Sequence, residues 1–196
     1  MSDAQFDVVV FGATSFVGQI LCQYLTDTYG VDGDLKWAAA GRSKDKLEQV
    51  KAQLGQAGSA LPLLTADAND DASLDSLCAQ TRVVVSTVGP YALYGEPMIR
   101  ACVTSGTDYC DLTGEVQWIA AMLEEYEDQA KQSGARIVHC CGFDSIPSDM
   151  GTYFLQQQAQ ARFKAPATRV KMRVKVAKGG VSGGTVASMM NIAEEA

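Results

Sequence analysis

Seven consecutive residues, Gly12-Ala13-Thr14-Ser15-Phe16-Val17-Gly18, carry the most specific chemistry in the chain. They follow the apolar, β-rich run Phe6–Phe11 and precede apolar residues at helical spacing (Val17, Ile20, Leu21, Tyr24, Leu25). A strand that breaks at glycine and turns into a helix gathers unpaired N–H groups and the positive dipole end at one point. That is where a phosphate or pyrophosphate binds. Gly12 permits the tight turn and Gly18 lets the helix approach the strand, but Ser15 stands where a middle glycine is expected. Serine is small and brings a donor, so Ser15, with Thr14 beside it, is read as a phosphate contact. The alternative is that one of the two only caps the following helix.

The second apolar run ends Ala38-Ala39-Ala40-Gly41-Arg42-Ser43. A site for NAD places a carboxylate here to accept from the ribose 2′-hydroxyl, and none is present. Arg42 can instead fork onto a 2′-phosphate and stack on adenine, with Ser43 adding a hydroxyl and Lys46 a charge. The pattern therefore predicts NADP, with NADPH preferred over NADH; the alternative is an arginine that is merely solvated. Asp67-Ala68-Asn69 ends the third run, where the adenine edge would lie, although Asn69 or Asp70 capping a helix explains it equally well. At the fourth run, Ser86-Thr87-Val88-Gly89-Pro90-Tyr91, Gly89 lets the chain approach a ribose and Pro90 stiffens the turn. Tyr91 or Tyr94 would line a nicotinamide pocket, and "GPY" is also an ordinary turn.

Tyr94, Tyr109, Asp111, Glu115 and Asp144 lie at or near strand ends, where ligands bind in open α/β sheets. Asp111 and Glu115 are candidates to hold a cationic substrate or relay a proton, or else to cap a helix, with Thr113 before it and Glu115 in its first turn. No catalytic residue is singled out. The single histidine, His139, is read as a hydrogen-bonded core residue. The six cysteines lack metal-ligand spacing, and no metal site is expected. "SGGT" at 182–185 reads either as a phosphate-binding turn or as the start of a helix capped by Thr185.

These residues need a scaffold, and the chain alternates strand and helix throughout its first three-quarters. Strands are read at 6–12, 35–41, 61–67, 82–89, 107–113 and 135–142, with helices at 44–55, 72–80, 96–105 and 116–133 besides the first. Nearly all-apolar strands in such alternation predict an α/β fold, a doubly wound parallel sheet of the NAD(P)-binding Rossmann type. Residues 1–147 form that domain, and 148–196 a linker helix (148–161) and the incomplete start of a second, antiparallel α+β domain. The second domain is read from strict alternation at 168–178, with Val170, Met172, Val174 and Val176 on one face and Lys171, Arg173 and Lys175 on the other. One strand and one helix bury no core of their own, so the chain is read as a fragment; alternatively that strand's open edge templates a homodimer.

Composition bounds the partners. Sixteen basic against 23 acidic residues give a net charge of −7, which argues against a nucleic-acid surface. No apolar run is long enough for a membrane span, and the polar start "MSDAQFD" is not a signal peptide. A reduced, cytoplasmic protein acting on a small-molecule or acyl substrate is expected. A dinucleotide-binding module without turnover is the alternative.

Taken together, "VVVFGATSFVG", "AAAGRS", "VVSTVGPYALYGEP", "GTDYCDLTGE" and "HCCGFDSIPSD" resemble the saccharopine-dehydrogenase-like oxidoreductases. The likeness is to the branch containing the mycobacterial trans-acting enoyl reductases, and it covers the whole chain. It implies a nicotinamide-dependent reductase about twice this length, whose second domain interrupts the Rossmann fold. It also implies Gly12, Thr14, Ser15, Phe16 and Val17 at the pyrophosphate, Arg42 and Ser43 at the adenosine end, and Val88, Gly89, Pro90 and Tyr91 near the nicotinamide.

Overall fold

The structure, a computed structural model, describes residues 4–176, 178–180 and 183–195. Six strands form one sheet: β1 (Phe6–Phe11), β2 (Trp37–Gly41), β3 (Leu63–Thr65), β4 (Thr81–Ser86), β5 (Asp108–Asp111) and β6 (Ile137–Val138). All neighbours are parallel, in the order β3-β2-β1-β4-β5-β6. The connections carry α1 (Phe16–Tyr29), α2 (Lys44–Gln53), α3 (Asp71–Cys78), α4 (Tyr91–Tyr94), α5 (Glu96–Ser105) and α6 (Val116–Ser133). Two further helices follow β6: α7 (Ile146–Phe163) and α8 (Gly183–Glu195).

Alternation along the central strands explains why they are apolar throughout. Val9, Phe11, Ala38 and Ala40 pack on one face with Leu74, Met98, Ile99 and Trp118 from α3, α5 and α6. Val10, Trp37 and Ala39 pack on the other with Cys22, Leu25, Leu47 and Val50 from α1 and α2. Both faces of the sheet are therefore covered, as parallel sheets require. The small side chains of Ala38, Ala39 and Ala40, each fully buried, leave room for helices on both sides of β2.

The element order agrees with the sequence reading, with three differences. The short helix α4 directly after the cis Gly89–Pro90 bond was not foreseen, because four residues are too few to show a helical period. The strand read at 168–178 does not form among the described residues: 169–176 have no regular structure, and Met172, Val174 and Val176 are exposed. Alternation yields a strand only where backbone N–H and C=O groups meet a neighbouring edge, and this segment meets none among the described residues. Residue 177 of that segment lies outside the described residues. Finally, α8 begins at Gly183, so Thr185 lies inside it and is not its cap; residue 182 of "SGGT" also lies outside the described residues.

Candidate functional site

Strand order reverses between β1 and β4, so the loops leaving these strands diverge and open a crevice at the carboxyl edge of the sheet. Gly12 opens the first loop at φ +86°, and a Cβ there would lie 2.7 Å from both Thr87 Oγ1 and Val88 Cγ2. Only glycine lets the two loops approach this closely. A Cβ on Gly18 would lie 2.2 Å from Gly12 O, so this glycine seats α1 against the turn.

Ser15 is the N-cap of α1, accepting from Gly18 N–H at 2.9 Å. Its Oγ also lies 2.9 Å from Thr87 Oγ1. Thr87 has one hydroxyl hydrogen, and its Oγ1 sits 2.9 Å from Gly12 O and 3.2 Å from Phe11 O, both acceptors only. The Thr87 hydrogen therefore goes to a carbonyl, and Ser15 must donate in the contact between the two hydroxyls. Both hydroxyls are committed to holding the β1 and β4 loops together. The Thr14 hydroxyl, by contrast, has no partner among the described residues, and the N–H groups of Thr14, Phe16 and Val17 have no acceptor there. A free hydroxyl and three free N–H groups at a helix N-terminus form a cradle for an anion.

The crevice beside this cradle has a volume of about 260 Å³. Gly12, Thr14, Ser15, Arg42, Asp67, Val88, Gly89 and Tyr94 all line it, so most residues singled out in the sequence meet in one place. Arg42 stands at the end of β2, exposed and without an ion pair among the described residues. Asp67 holds the turn after β3, accepting from Asn69 N–H at 3.0 Å and from its side-chain amide at 3.2 Å. Asp70 caps α3, which settles the choice between Asn69 and Asp70. Ser43 caps α2 and Pro90 precedes α4; neither lines the crevice.

A second cavity of about 340 Å³ adjoins the first and shares Ser15, Thr87 and Gly89 with it. Phe16, Val17 and Tyr91 line this one, with Glu115, Asp144 and residues of α8. Glu115 immediately precedes α6 but makes no capping bond to it. Its carboxylate instead accepts from Tyr91 N–H and Ala92 N–H, each at 2.9 Å, and from Ser188 Oγ at 2.8 Å. It therefore caps α4, not its own helix, which corrects the first-turn reading. The Tyr91 hydroxyl donates to Ser86 O at 3.0 Å. Burial first, then the nearby Asp111 carboxylate, raises its pKa above the ordinary phenol range, so it is a fixed structural donor.

Tyr109, Asp111 and His139 stay away from both cavities and form a buried network. Asp111, 1% exposed, accepts from Tyr109 OH at 3.1 Å and from Thr113 N–H and Cys140 N–H, each also at 3.1 Å, and lies 2.7 Å from His139 Nδ1. The network ties β5 to the chain beyond β6 and fits the core role read for His139. Thr87 and Ser188 were given no role in the sequence; each acts through a contact with a distant partner, so no local pattern marks it. Thr113, read as standing before the helix, accepts from Glu115 N–H two residues on. No helix among the described residues is long and apolar enough to cross a membrane.

A parallel sheet with its order reversing beside a glycine turn, a free helix N-terminus and a crevice across the strand ends defines a dinucleotide-binding domain. Residues 8–138 match the saccharopine dehydrogenase NADP binding domain, and the chain belongs to that family. Its cofactor class is NADP. A Mycobacterium tuberculosis protein bearing the name trans-acting enoyl reductase is 44% identical over 188 residues, covering 96% of this chain and 44% of that protein. The trans-acting enoyl reductase of Mycobacterium ulcerans is 44% identical over 161 residues, 81% of this chain and 38% of its own. The chain thus spans less than half the length of these curated relatives. Among solved structures, saccharopine dehydrogenase (L-Glu forming) of Saccharomyces cerevisiae superposes with a TM-score of 0.60 at 19% identity, over 81% of this chain and 32% of that one. Citrobacter triphenylmethane reductase complexed with NADP(H) gives 0.53 at 15% identity, over 81% of this chain and 55% of that one. At these identities the likeness is one of fold.

Proposed function

We propose that the chain is the cofactor-binding part of an NADPH-dependent reductase that transfers hydride to a small-molecule or acyl substrate. The observation that carries this reading is the pairing of two unpartnered groups on one crevice: the Thr14 cradle at its centre and the Arg42 guanidinium at its β2 end. Thr14, Phe16 and Val17 receive the pyrophosphate through their N–H groups, with the Thr14 hydroxyl adding a fourth donor. Arg42 takes the 2′-phosphate, since Arg42 and Ser43, directly after β2, stand where a site for NAD places its carboxylate. Gly89, which lines both cavities, leaves space for the nicotinamide end. NADPH, when bound, supplies the hydride; the protein's part is to hold and orient it. Residues 1–147 act as this unit, and the chain from 148 leads towards the antiparallel, substrate-side structure. The substrate class follows the enoyl reductase name of the relatives, and the unpaired cysteines support a cytoplasmic location.

Calorimetric titration with NADPH and NADH tests the reading. NADPH should bind at least about tenfold more tightly, as expected of a charge-assisted contact of about 1.5–3 kcal/mol. Arg42→Ala should remove most of that difference. Equal affinities of the unaltered chain for the two nucleotides would contradict it.

A further inference from the structure

Helix α8 is seated on the domain without entering its core: none of its described side chains is buried, and Val186, Met189 and Met190 are exposed. It nevertheless forms one wall of the second cavity, through Gly184, Thr185, Ser188 and Met189. The loops after β1 and β4, which also shape the nucleotide crevice, bring Phe16, Val17 and Gly89 to the same cavity. Ser188 ties α8 to Glu115, a carboxylate only 3% exposed that meets three donors and no cation among the described residues. Its Oε1 takes Tyr91 N–H at 2.9 Å and the Ser188 hydroxyl at 2.8 Å, and its Oε2 takes Ala92 N–H at 2.9 Å. Each oxygen thus meets a backbone N–H of α4, and a glutamine here would set its own amide hydrogens against one of them. Tyr91 and Ala92 directly follow Gly89 and Pro90, so a single carboxylate joins α8 to the β4 loop. A hydrogen bond to a charged group is strong, yet water takes the place of a serine hydroxyl at little cost when α8 leaves. Those are the properties of a reversible latch.

We propose that Glu115 and Ser188 latch α8 over the second cavity, and that this closure and the binding of the nicotinamide half of NADPH favour each other. The inference rests on reading the adjoining crevice as the cofactor's site. With the pyrophosphate on Thr14, Phe16 and Val17 and the 2′-phosphate at Arg42, the adenosine half fills the crevice of about 260 Å³. Phe16 and Val17 themselves line the second cavity, so the other half passes into it, against the wall that α8 supplies. A ligand that touches α8 only in its seated position holds it there, and by linkage a seated α8 holds the ligand. Glu115 is thus a positioning residue, acting through Ser188 and the first turn of α4.

Hydrogen exchange read by mass spectrometry, with calorimetric titration, tests this on the whole chain. A helix of 13 residues is marginal in water alone, so exchange of the α8 amides reports its seating. Two probes are compared: NADPH, and adenosine 2′,5′-bisphosphate, which lacks the nicotinamide half. Saturating NADPH should slow α8 exchange about tenfold, and the bisphosphate by less than about twofold. Ser188→Ala should speed α8 exchange at least about tenfold, as for a lost hydrogen bond to a charged group. It should also weaken NADPH about three- to tenfold while leaving the bisphosphate within about twofold. Ser188→Thr, which keeps the hydroxyl, should restore the values of the unaltered chain. Exchange of α8 unmoved by NADPH overturns the proposal, as does an S188A chain that treats the two probes alike; NADPH binding in those samples leaves the cofactor reading standing. Failure of the unaltered chain to bind NADPH overturns the cofactor reading and this proposal with it.

Discussion

Replacing Ser15 with alanine separates two roles that a phosphate-loop hydroxyl can play. Its Oγ caps α1 through Gly18 N–H and donates its only hydrogen to Thr87. Loss of an N-cap costs about 1 kcal/mol, and loss of the neutral tie to Thr87 adds up to about 1 kcal/mol. For a chain of this size a total of about 1–2 kcal/mol lowers Tm by roughly 3–6 °C. NADPH affinity, however, should change by no more than about threefold, because Ser15 has no hydrogen left to offer a phosphate. Thr14→Val should do the reverse. It removes a free hydroxyl facing the crevice, leaves Tm within about 1 °C, and weakens NADPH about ten- to a hundredfold, as for a hydrogen bond to a charged group. Differential scanning calorimetry and fluorescence titration on both variants read the two quantities independently. If Ser15→Ala weakens NADPH as strongly as Thr14→Val while Tm is unmoved, the hydrogen-bond direction deduced for the Ser15–Thr87 pair is wrong.

Gly18→Ala should destabilise by at least about 2–3 kcal/mol in chemical denaturation, since its Cβ would meet backbone at 2.2 Å and rigid backbone cannot yield as a side chain does. Burial pushes the Cys22 thiol up to about 12 from its ordinary 9.0. The unfolded chain then ionises first, so this residue's contribution to stability is complete below pH 9 and is lost as pH rises towards 12. Urea titrations between pH 8 and 10.5 should show stability falling less steeply in Cys22→Ala than in the unaltered chain; identical slopes would contradict that. Asp108, held below the usual carboxylate range by hydrogen bonds from the Arg136 side chain, behaves oppositely. It stabilises above that range and loses its effect on acidification, so Asp108→Asn should flatten the acid limb of the stability curve, modestly because Arg136 is exposed.

The crevice was largely legible from the order of residues because its parts sit at the ends of strands. Gly12, Arg42, Asp67 and Gly89 each close an apolar run, and a parallel sheet brings every such end to one edge. What could not be read was the direction of contacts across that edge. Ser15 looked like a phosphate ligand because nothing in the sequence shows Thr87, 72 residues away, taking its hydrogen. Glu115 looked like a cap for α6, the helix it precedes, yet the backbone of Tyr91 and Ala92 lies closer to its carboxylate. The failure at 168–178 has another origin. Alternation there is real, but a strand is a relation between two segments, and the described residues supply only one.

The central claim is that the dinucleotide lies across the carboxyl ends of β1 and β4 with its pyrophosphate on the first turn of α1. Amide-resolved ¹⁵N NMR during NADPH titration tests it most directly. The account predicts the largest shifts at Thr14, Phe16 and Val17, with further shifts at Arg42 and Gly89 and none at the far edge of the sheet around Asp7 and Lys36. Saturable binding that leaves the amides of Thr14, Phe16 and Val17 unmoved would contradict it.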